Sequence, residues 1–316
     1  MKCPLFYDTI NQMRRLEKVA RLTRGSARFP EEKTGEGGVH QKGIYMEAFV
    51  EALADLLMLT AWKMDKPQPY GWLHLCVMLA GFPLSAWAAW KLRRLGERGN
   101  RILLLTVGLF LLFCEAYKQL FYELVLEPDN GYRWSNFPFH LCSVPMYLCL
   151  LILCLKDGPL RKSLYTFLMS YNLLGGAIAF AEPSGLLHGR WTLTMHAFIW
   201  HMVLVFLGLY IGFSGRGGTG KRDYWHATAV FLTLCAIAFA INCTFWEISG
   251  HTIKMFFLGP AHSPIAVFKD LSKWLGWPIG MALYIPSVAV GAAVVLWLFR
   301  LPAKRCRTKA CSIREE

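Results

Sequence analysis

Seven apolar runs, each close to the roughly 20 residues that a helix needs to cross a hydrocarbon core about 30 Å thick, follow one another along this 316-residue chain. They read as Trp72 to Trp90, Ile102 to Val125, Phe137 to Leu155, Ser163 to Ala181, Leu193 to Phe213, His226 to Trp246 and Trp277 to Phe299. The gaps between them hold turn or charge signals, such as Pro128-Asp-Asn-Gly131 and Lys156-Asp-Gly-Pro159. Composition agrees with a membrane setting: 55% of residues are hydrophobic, 17% are charged, and the mean hydropathy is +0.34. The expected fold is all-α, a polytopic membrane bundle of about seven transmembrane helices.

A net charge of +13 invites nucleic acid as a partner, but the lysines and arginines lie in tails and short loops, where they orient helices and meet anionic lipid. No nucleic acid partner is expected. One set of loops carries Lys91, Arg93, Arg94, Arg98, Arg101, Lys156, Arg161, Lys162, Arg216, Lys221, Arg222 and the tail from Arg300; the other carries Arg133, Arg190, Lys254, Lys269 and Lys273. The positive-inside bias puts the first set and the C-terminus in the cytoplasm and the N-terminus outside or in a lumen. The host membrane would be the cytoplasmic membrane of a bacterium or an endoplasmic-reticulum-type membrane of a eukaryote. Residues 1–43 form a basic tail that conflicts with an outside location, and a start at Met46 would remove it. Residues 44–71 read as an amphipathic interfacial helix and linker, because Glu47, Glu51 and Asp55 at i, i+4 and i+8 make a spanning helix costly. The bundle is expected over 72–299 and a basic cytoplasmic tail over 300–316.

Ten cysteines form no Cys-x-x-Cys pair and no zinc-type Cys/His spacing, so no metal and no cofactor is expected. Gly215-Arg-Gly-Gly-Thr-Gly220-Lys221 imitates a phosphate-binding loop, but Arg222 stands where Ser or Thr is needed and no strand precedes it; no nucleotide is expected. Oligomeric state is not readable.

Ionisable residues inside spans usually face a protein interior or aqueous cavity, and each is a functional candidate. On the second span Glu115, Lys118, Gln119 and Tyr122 stand at i, i+3, i+4 and i+7, one continuous stripe. On the third, Pro138 fits the first turn of a helix and Pro145 loosens its ladder, which leaves Cys142 on an irregular turn near a helix N-terminus, where a thiolate is favoured. His140 points about 200° away from Cys142 on a regular helix. His196 and His201 are five residues apart on the fifth span, so they lie on different faces. His74, Asn172, Asn242 and Glu247 complete the set. Given the topology, most of these fall in the outer half of their spans, which suggests a polar cavity opening toward the outer or lumenal leaflet.

The runs Glu115-Ala-Tyr-Lys118-Gln119, Trp134-Ser-Asn-Phe-Pro138-Phe-His140-Leu-Cys142-Ser143, Phe198-Ile-Trp-His201 and Asn242-Cys-Thr-Phe-Trp-Glu247 resemble the YwaF family, bacterial integral membrane proteins related to the animal transmembrane protein 164 acyltransferases. The resemblance covers roughly Pro67 to Phe299. It implies a seven-span bundle and, from the animal branch, a thiol-dependent acyl transfer on phospholipids, with the family cysteine carried onto Cys142 and the family histidine onto His201. His140 stands where bacterial relatives are expected to have glutamine, so no essential role is carried to it.

The reading that follows is a membrane-embedded acyltransferase acting on phospholipid or lysophospholipid, with Cys142 and His201 catalytic and with His74, Glu115, Lys118, Gln119, His140, Asn172, His196, Asn242 and Glu247 binding substrate or supporting the site. Membrane lipids are the expected partners. The alternative is a proton-coupled transporter or channel-like carrier built on the same Glu/Lys/His cluster; a structural protein with a satisfied polar core is the third reading.

Overall fold

The computed structural model describes residues 37–128, 131–260, 262–263 and 265–312. Positions 1–36 of the expected basic tail lie outside the described residues. The regular elements are all helical: α1 (Gly37–Met58), α2 (Trp72–Leu92), α3 (Glu97–Phe121), α4 (Val144–Cys154), α5 (Pro159–Phe167), α6 (Leu173–Ala181), α7 (Trp191–Phe213), α8 (Lys221–Thr244), α9 (Ala266–Leu275) and α10 (Trp277–Ser312). α3 ends in a π turn, Tyr122–Leu126, and a second π turn, Leu168–Asn172, joins α5 to α6 into one continuous rod.

The chain divides into two compact units. One runs to Lys63 and includes Leu120–Gly131; in it α1 packs on the π turn after α3. The other comprises Met64–Gln119 and Tyr132–Glu316 and holds the bundle.

Six described helical stretches are long and apolar enough to cross a membrane: Trp72–Leu92, Glu97–Leu126, Pro159–Ala181, Trp191–Phe213, Lys221–Thr244 and Trp277–Leu301. The chain is thus an integral membrane protein with a polytopic helical bundle. The expected third span differs from the expectation of one long helix from Phe137. Only Val144–Cys154 is regular α-helix there, about 16 Å at 1.5 Å per residue. Pro145 rather than Pro138 occupies its first turn, where a missing N–H costs nothing. Phe137, held extended by the proline after it (φ −49°, ψ 131°), keeps the preceding residues out of the helix. At the other end of the chain α10 runs unbroken to Ser312, so the expected boundary at Arg300 is one of composition and not of backbone.

The bundle is held by α7, which packs along α2, along α6 and against the π turn Leu168–Asn172. Small residues permit the close approach. A Cβ on Gly208 would stand 2.6 Å from the Cβ of Leu173 and 3.1 Å from the Leu168 carbonyl oxygen, and one on Gly176 3.0 Å from the Cβ of Leu204. Around this contact lies the main core, with Phe167, Tyr171, Leu204, Leu207, Tyr210 and Phe231 fully buried. Two polar ties cross it. The Asn100 amide donates to Tyr165 at 2.8 Å and accepts from Tyr210 at 3.0 Å, joining α3, α5 and α7, and Tyr171 meets Thr228 of α8 at 2.8 Å. Large apolar side chains such as Leu79, Phe113 and Val290 face outward, as they do where the solvent is lipid.

Because the α6 and α7 backbones touch at Gly208, a larger side chain there has to push them apart. Gly208→Val is expected to lower thermal stability by about 1–3 kcal/mol, measured by unfolding of the purified protein in detergent, while Gly185→Ala, which meets no atom within 4 Å, leaves it unchanged.

Candidate functional site

Residues 134–143 pack against the main core without forming an α-helix. A 3₁₀ turn at Trp134–Asn136 is followed by extended backbone at Phe137 and a turn at 141–143 that carries half-buried Cys142. Such a segment exposes carbonyls that a helix would have paired, and in a membrane each needs a partner from the protein. Side chains supply them. His140 Nε2 donates to the Ser135 carbonyl at 3.0 Å, Gln119 to Asn136 at 2.7 Å, Tyr147 to Pro138 at 2.8 Å and the Trp200 indole to Cys142 at 3.0 Å. Trp200 is nine residues into α7, about 14 Å from its first residue. The turn that holds Cys142 is therefore irregular, and it lies well inside the bundle.

The charged stripe of α3 packs against this segment. Glu115 is 5% exposed; Lys118 Nζ stands 2.9 Å from both of its oxygens, and Gln119 Nε2 donates to one of them at 2.7 Å. The two donors of the Gln119 amide are thus shared between a carboxylate and the unwound backbone. Pairing at this distance is what makes a buried carboxylate tolerable, since an uncompensated one costs several kcal/mol. The Lys118 ammonium carries three donors, so it has capacity beyond its contacts with Glu115. The charges of Glu115 and Lys118 reach Cys142, His140 and His196.

α7 contributes the imidazoles. His196 Nε2 lies 3.0 Å from the Cys114 carbonyl of α3, and its ring stacks on Trp200 with centroids 5.7 Å apart. His201 Nδ1 lies 2.8 Å from the Ala197 carbonyl and its ring meets Phe180 edge-on. A carbonyl only accepts, so in the neutral ring His196 carries its proton on Nε2 and His201 on Nδ1. Each is left with one basic nitrogen, Nδ1 of His196 and Nε2 of His201. Neither forms a hydrogen bond with the Cys142 sulfur in this structure.

The remaining candidates separate. His74 is fully buried between Phe180 and Phe198 and takes the Tyr70 N–H on Nδ1 at 3.2 Å. With His201 it forms a second, aromatic cluster around Phe180. Asn172 donates from its π turn to Leu168 and Leu204 carbonyls, both at 3.0 Å, and its Oδ1 is buried without a partner. Asn242 is spent on structure: it donates to the Met255 carbonyl at 2.9 Å and to Leu258, and accepts the Met255 N–H at 2.7 Å, pinning the turn around Phe256 and Phe257, whose φ angles are positive. Glu247 lies beyond α8, largely exposed, and pairs with His251 at 3.2 Å.

Two residues were not singled out from the sequence. Trp200 links the Cys142 carbonyl to His196; the signal was its place at i+4 from His196 on one face of α7. Asn136 is the second, since its Nδ2 is buried with no partner while its carbonyl takes Gln119. Asn172 and Asn242 direct both amide hydrogens to carbonyls, whereas the Asn136 Nδ2 meets no acceptor. No cluster of three metal-ligating side chains exists among the described residues.

A family model, that of the TMEM164 family, matches residues 65–299. No curated protein and no solved structure matches the chain.

Gln119→Leu should strip a partner from both Glu115 and the Asn136 carbonyl, and is expected to cost about 2–5 kcal/mol in thermal unfolding. Glu247→Gln, which removes only an exposed pair, should leave the melting temperature unchanged. Equal effects of the two would refute the account of the unwound segment.

Proposed function

Because the chain belongs to the TMEM164 family, we propose that it is a membrane-embedded, thiol-dependent acyltransferase of phospholipids and lysophospholipids. Within the family we read its motifs as resembling those of the bacterial YwaF-type members. One observation carries the reading: residues 134–143 pack against the main core without continuing a helix and are braced from three helices, and the strongest nucleophile on that segment is the Cys142 thiol. Irregular backbone inside a membrane is otherwise a pure expense.

In the proposed cycle an imidazole takes the Cys142 proton as sulfur attacks the carbonyl carbon of a phospholipid ester. The ester C–O bond breaks, the lysophospholipid leaves with the proton returned by the imidazolium, and the chain remains as a thioester on Cys142. A hydroxyl of an acceptor lysophospholipid then attacks the thioester and gives up its proton to the same imidazole. The new ester forms, the C–S bond breaks, and the thiolate recovers the proton. His201, through Nε2, is the general base and acid; the free Nδ1 of His196 is the competing candidate, on the side nearer Glu115 and Lys118. Lys118 and the unpartnered amide of Asn136 receive the oxyanion or the lipid phosphate. Glu115 and Gln119 hold Lys118 and the segment in place, and His74, His140 and Asn172 support the surrounding packing.

A proton or solute carrier has weaker support, because both oxygens of Glu115 are already engaged by Lys118 and Gln119. The site end of the bundle is proposed to face the outer or lumenal leaflet, with the C-terminus cytoplasmic.

The test is transfer of a labelled acyl chain between phospholipid and lysophospholipid by the protein in liposomes. Cys142→Ala should abolish it, and His201→Gln should slow it about 10²–10⁴-fold. Asn136→Ala should lower kcat by about 10²–10³-fold with little change in KM. Transfer at the wild-type rate by Cys142→Ala ends the proposal, and a large loss in His196→Gln with a small one in His201→Gln moves the base to His196.

A further inference from the structure

The bundle end away from Cys142 holds a second polar assembly that takes no part in the proposed transfer. Arg161, two residues into α5, is 6% exposed; its guanidinium meets the carboxylates of Glu97 and Asp157 and lies 3.5 Å from the Tyr165 hydroxyl. Arg216 shares Glu97 at 3.2 Å and donates to the Leu95 carbonyl at 2.6 Å. Two arginines thus converge on one carboxylate, and the Nε–H of each is buried without a partner. Unpaired buried guanidinium donors are rare because their lost hydration is not repaid. The carboxylates that face Arg161 are partly in solvent, with side-chain exposures of 50% for Glu97 and 91% for Asp157.

Arg161 lines a cavity of about 490 Å³ together with Arg101, Lys156, Glu97 and Asp157, three cations against two carboxylates. One Arg101 nitrogen donates to the Leu153 carbonyl at 3.0 Å, which leaves the rest of its fork available. The cavity is not isolated from the lipid-facing surface. Its walls include residues 153–155 at the end of α4 and Arg101 near the start of α3. Beside them stand Ile102, the residue after Arg101, and about one turn further along these helices Leu105 and Leu151, 56%, 44% and 47% exposed. Deeper still, α3 and α4 close on each other at Gly108, where a Cβ would lie 2.8 Å from Leu150 and 3.2 Å from Cys149. A basic cavity that gives onto two apolar helix flanks has the polarity profile of a phospholipid: a phosphate at one end and acyl chain beyond it.

We propose that this cavity binds the phosphate group of an anionic phospholipid of the leaflet on the basic side of the protein. Arg161 supplies its guanidinium charge at the cavity wall, Arg101 and Lys156 supply exposed cations, and Asp157, the more solvated carboxylate, gives way to the phosphate. Free phosphate has the same donors available to it but gains nothing from the apolar flanks. The proposal is independent of the acyl-transfer reading and survives its failure.

Delipidated full-length protein in detergent is melted with dioleoylphosphatidylglycerol, with dioleoylphosphatidylcholine, or with inorganic phosphate, and lipid retention is counted by native mass spectrometry. Phosphatidylglycerol is expected to raise the melting temperature by about 3–6 °C, and phosphatidylcholine and inorganic phosphate by much less. The double variant Arg101→Gln/Lys156→Gln, altered only at exposed positions, should melt like wild type in phosphatidylcholine and retain phosphatidylglycerol about tenfold more weakly. Equal stabilisation by the two lipids, or unchanged retention by the double variant, overturns the site. Equal protection by inorganic phosphate overturns the lipid as its occupant and leaves a soluble-anion site.

Discussion

Pairing the backbone of residues 134–143 is the constraint around which the rest of this bundle is arranged. Lipid offers no hydrogen bonds, so each carbonyl that this segment withholds from helix geometry has to be met from inside the protein. Gln119, Trp200 and Tyr147 meet three of them from α3, α7 and α4, and His140 meets a fourth from within the segment. Side chains that look like a catalytic inventory when read one by one are here, in large part, the scaffold of the turn that presents Cys142. Such a scaffold is compatible with the proposed chemistry, since a nucleophile is held most precisely when its own backbone is locked by groups with no freedom to move.

The same economy appears in the charged groups. Glu115 spends one oxygen on Gln119 and shares both with Lys118, which neutralises the carboxylate and ties it to the unwound backbone in one step. At the far end of the same helix Glu97 anchors Arg161 and Arg216. α3 therefore carries a carboxylate-centred assembly near each end, separated by an apolar stretch through Val107 and Leu111. Asn100, buried between Tyr165 and Tyr210, adds an uncharged crossing close to the basic end that ties α3 to α5 and α7. Between these two assemblies the bundle is held by packing around Gly176 and Gly208.

How far the candidate site was legible depended on whether its signal was local. The stripe of Glu115, Lys118 and Gln119 follows from helical periodicity alone, and its members do touch as i, i+3 and i+4 neighbours. The partner that matters to Gln119, the Asn136 carbonyl, comes from a loop seventeen residues on and has no signature in either sequence stretch. Cys142 was rightly expected on an irregular turn between Pro138 and Pro145, yet local rules allow either proline to open the helix. Asn242 carried the look of a membrane-depth polar candidate and turned out to hold three backbone groups of the turn at 255–258. Nothing near it in the sequence distinguishes these uses, because the distinction lies in what folds back against it.

The amino-acid order by itself determined that this is a helical membrane protein, where its long spans run, and which few side chains are too polar to face lipid. These follow from the length of apolar runs and the cost of charge in hydrocarbon, both properties of a stretch of chain taken alone. Only the tertiary structure decided that the third run is half unwound, that Trp200 and Asn136 join the site, and that His74 and His201 gather around Phe180 apart from Glu115. Those outcomes depend on which donors reach which orphaned acceptors across the bundle, and that is fixed by helix packing at contacts such as Gly208 on Leu173, far apart in sequence.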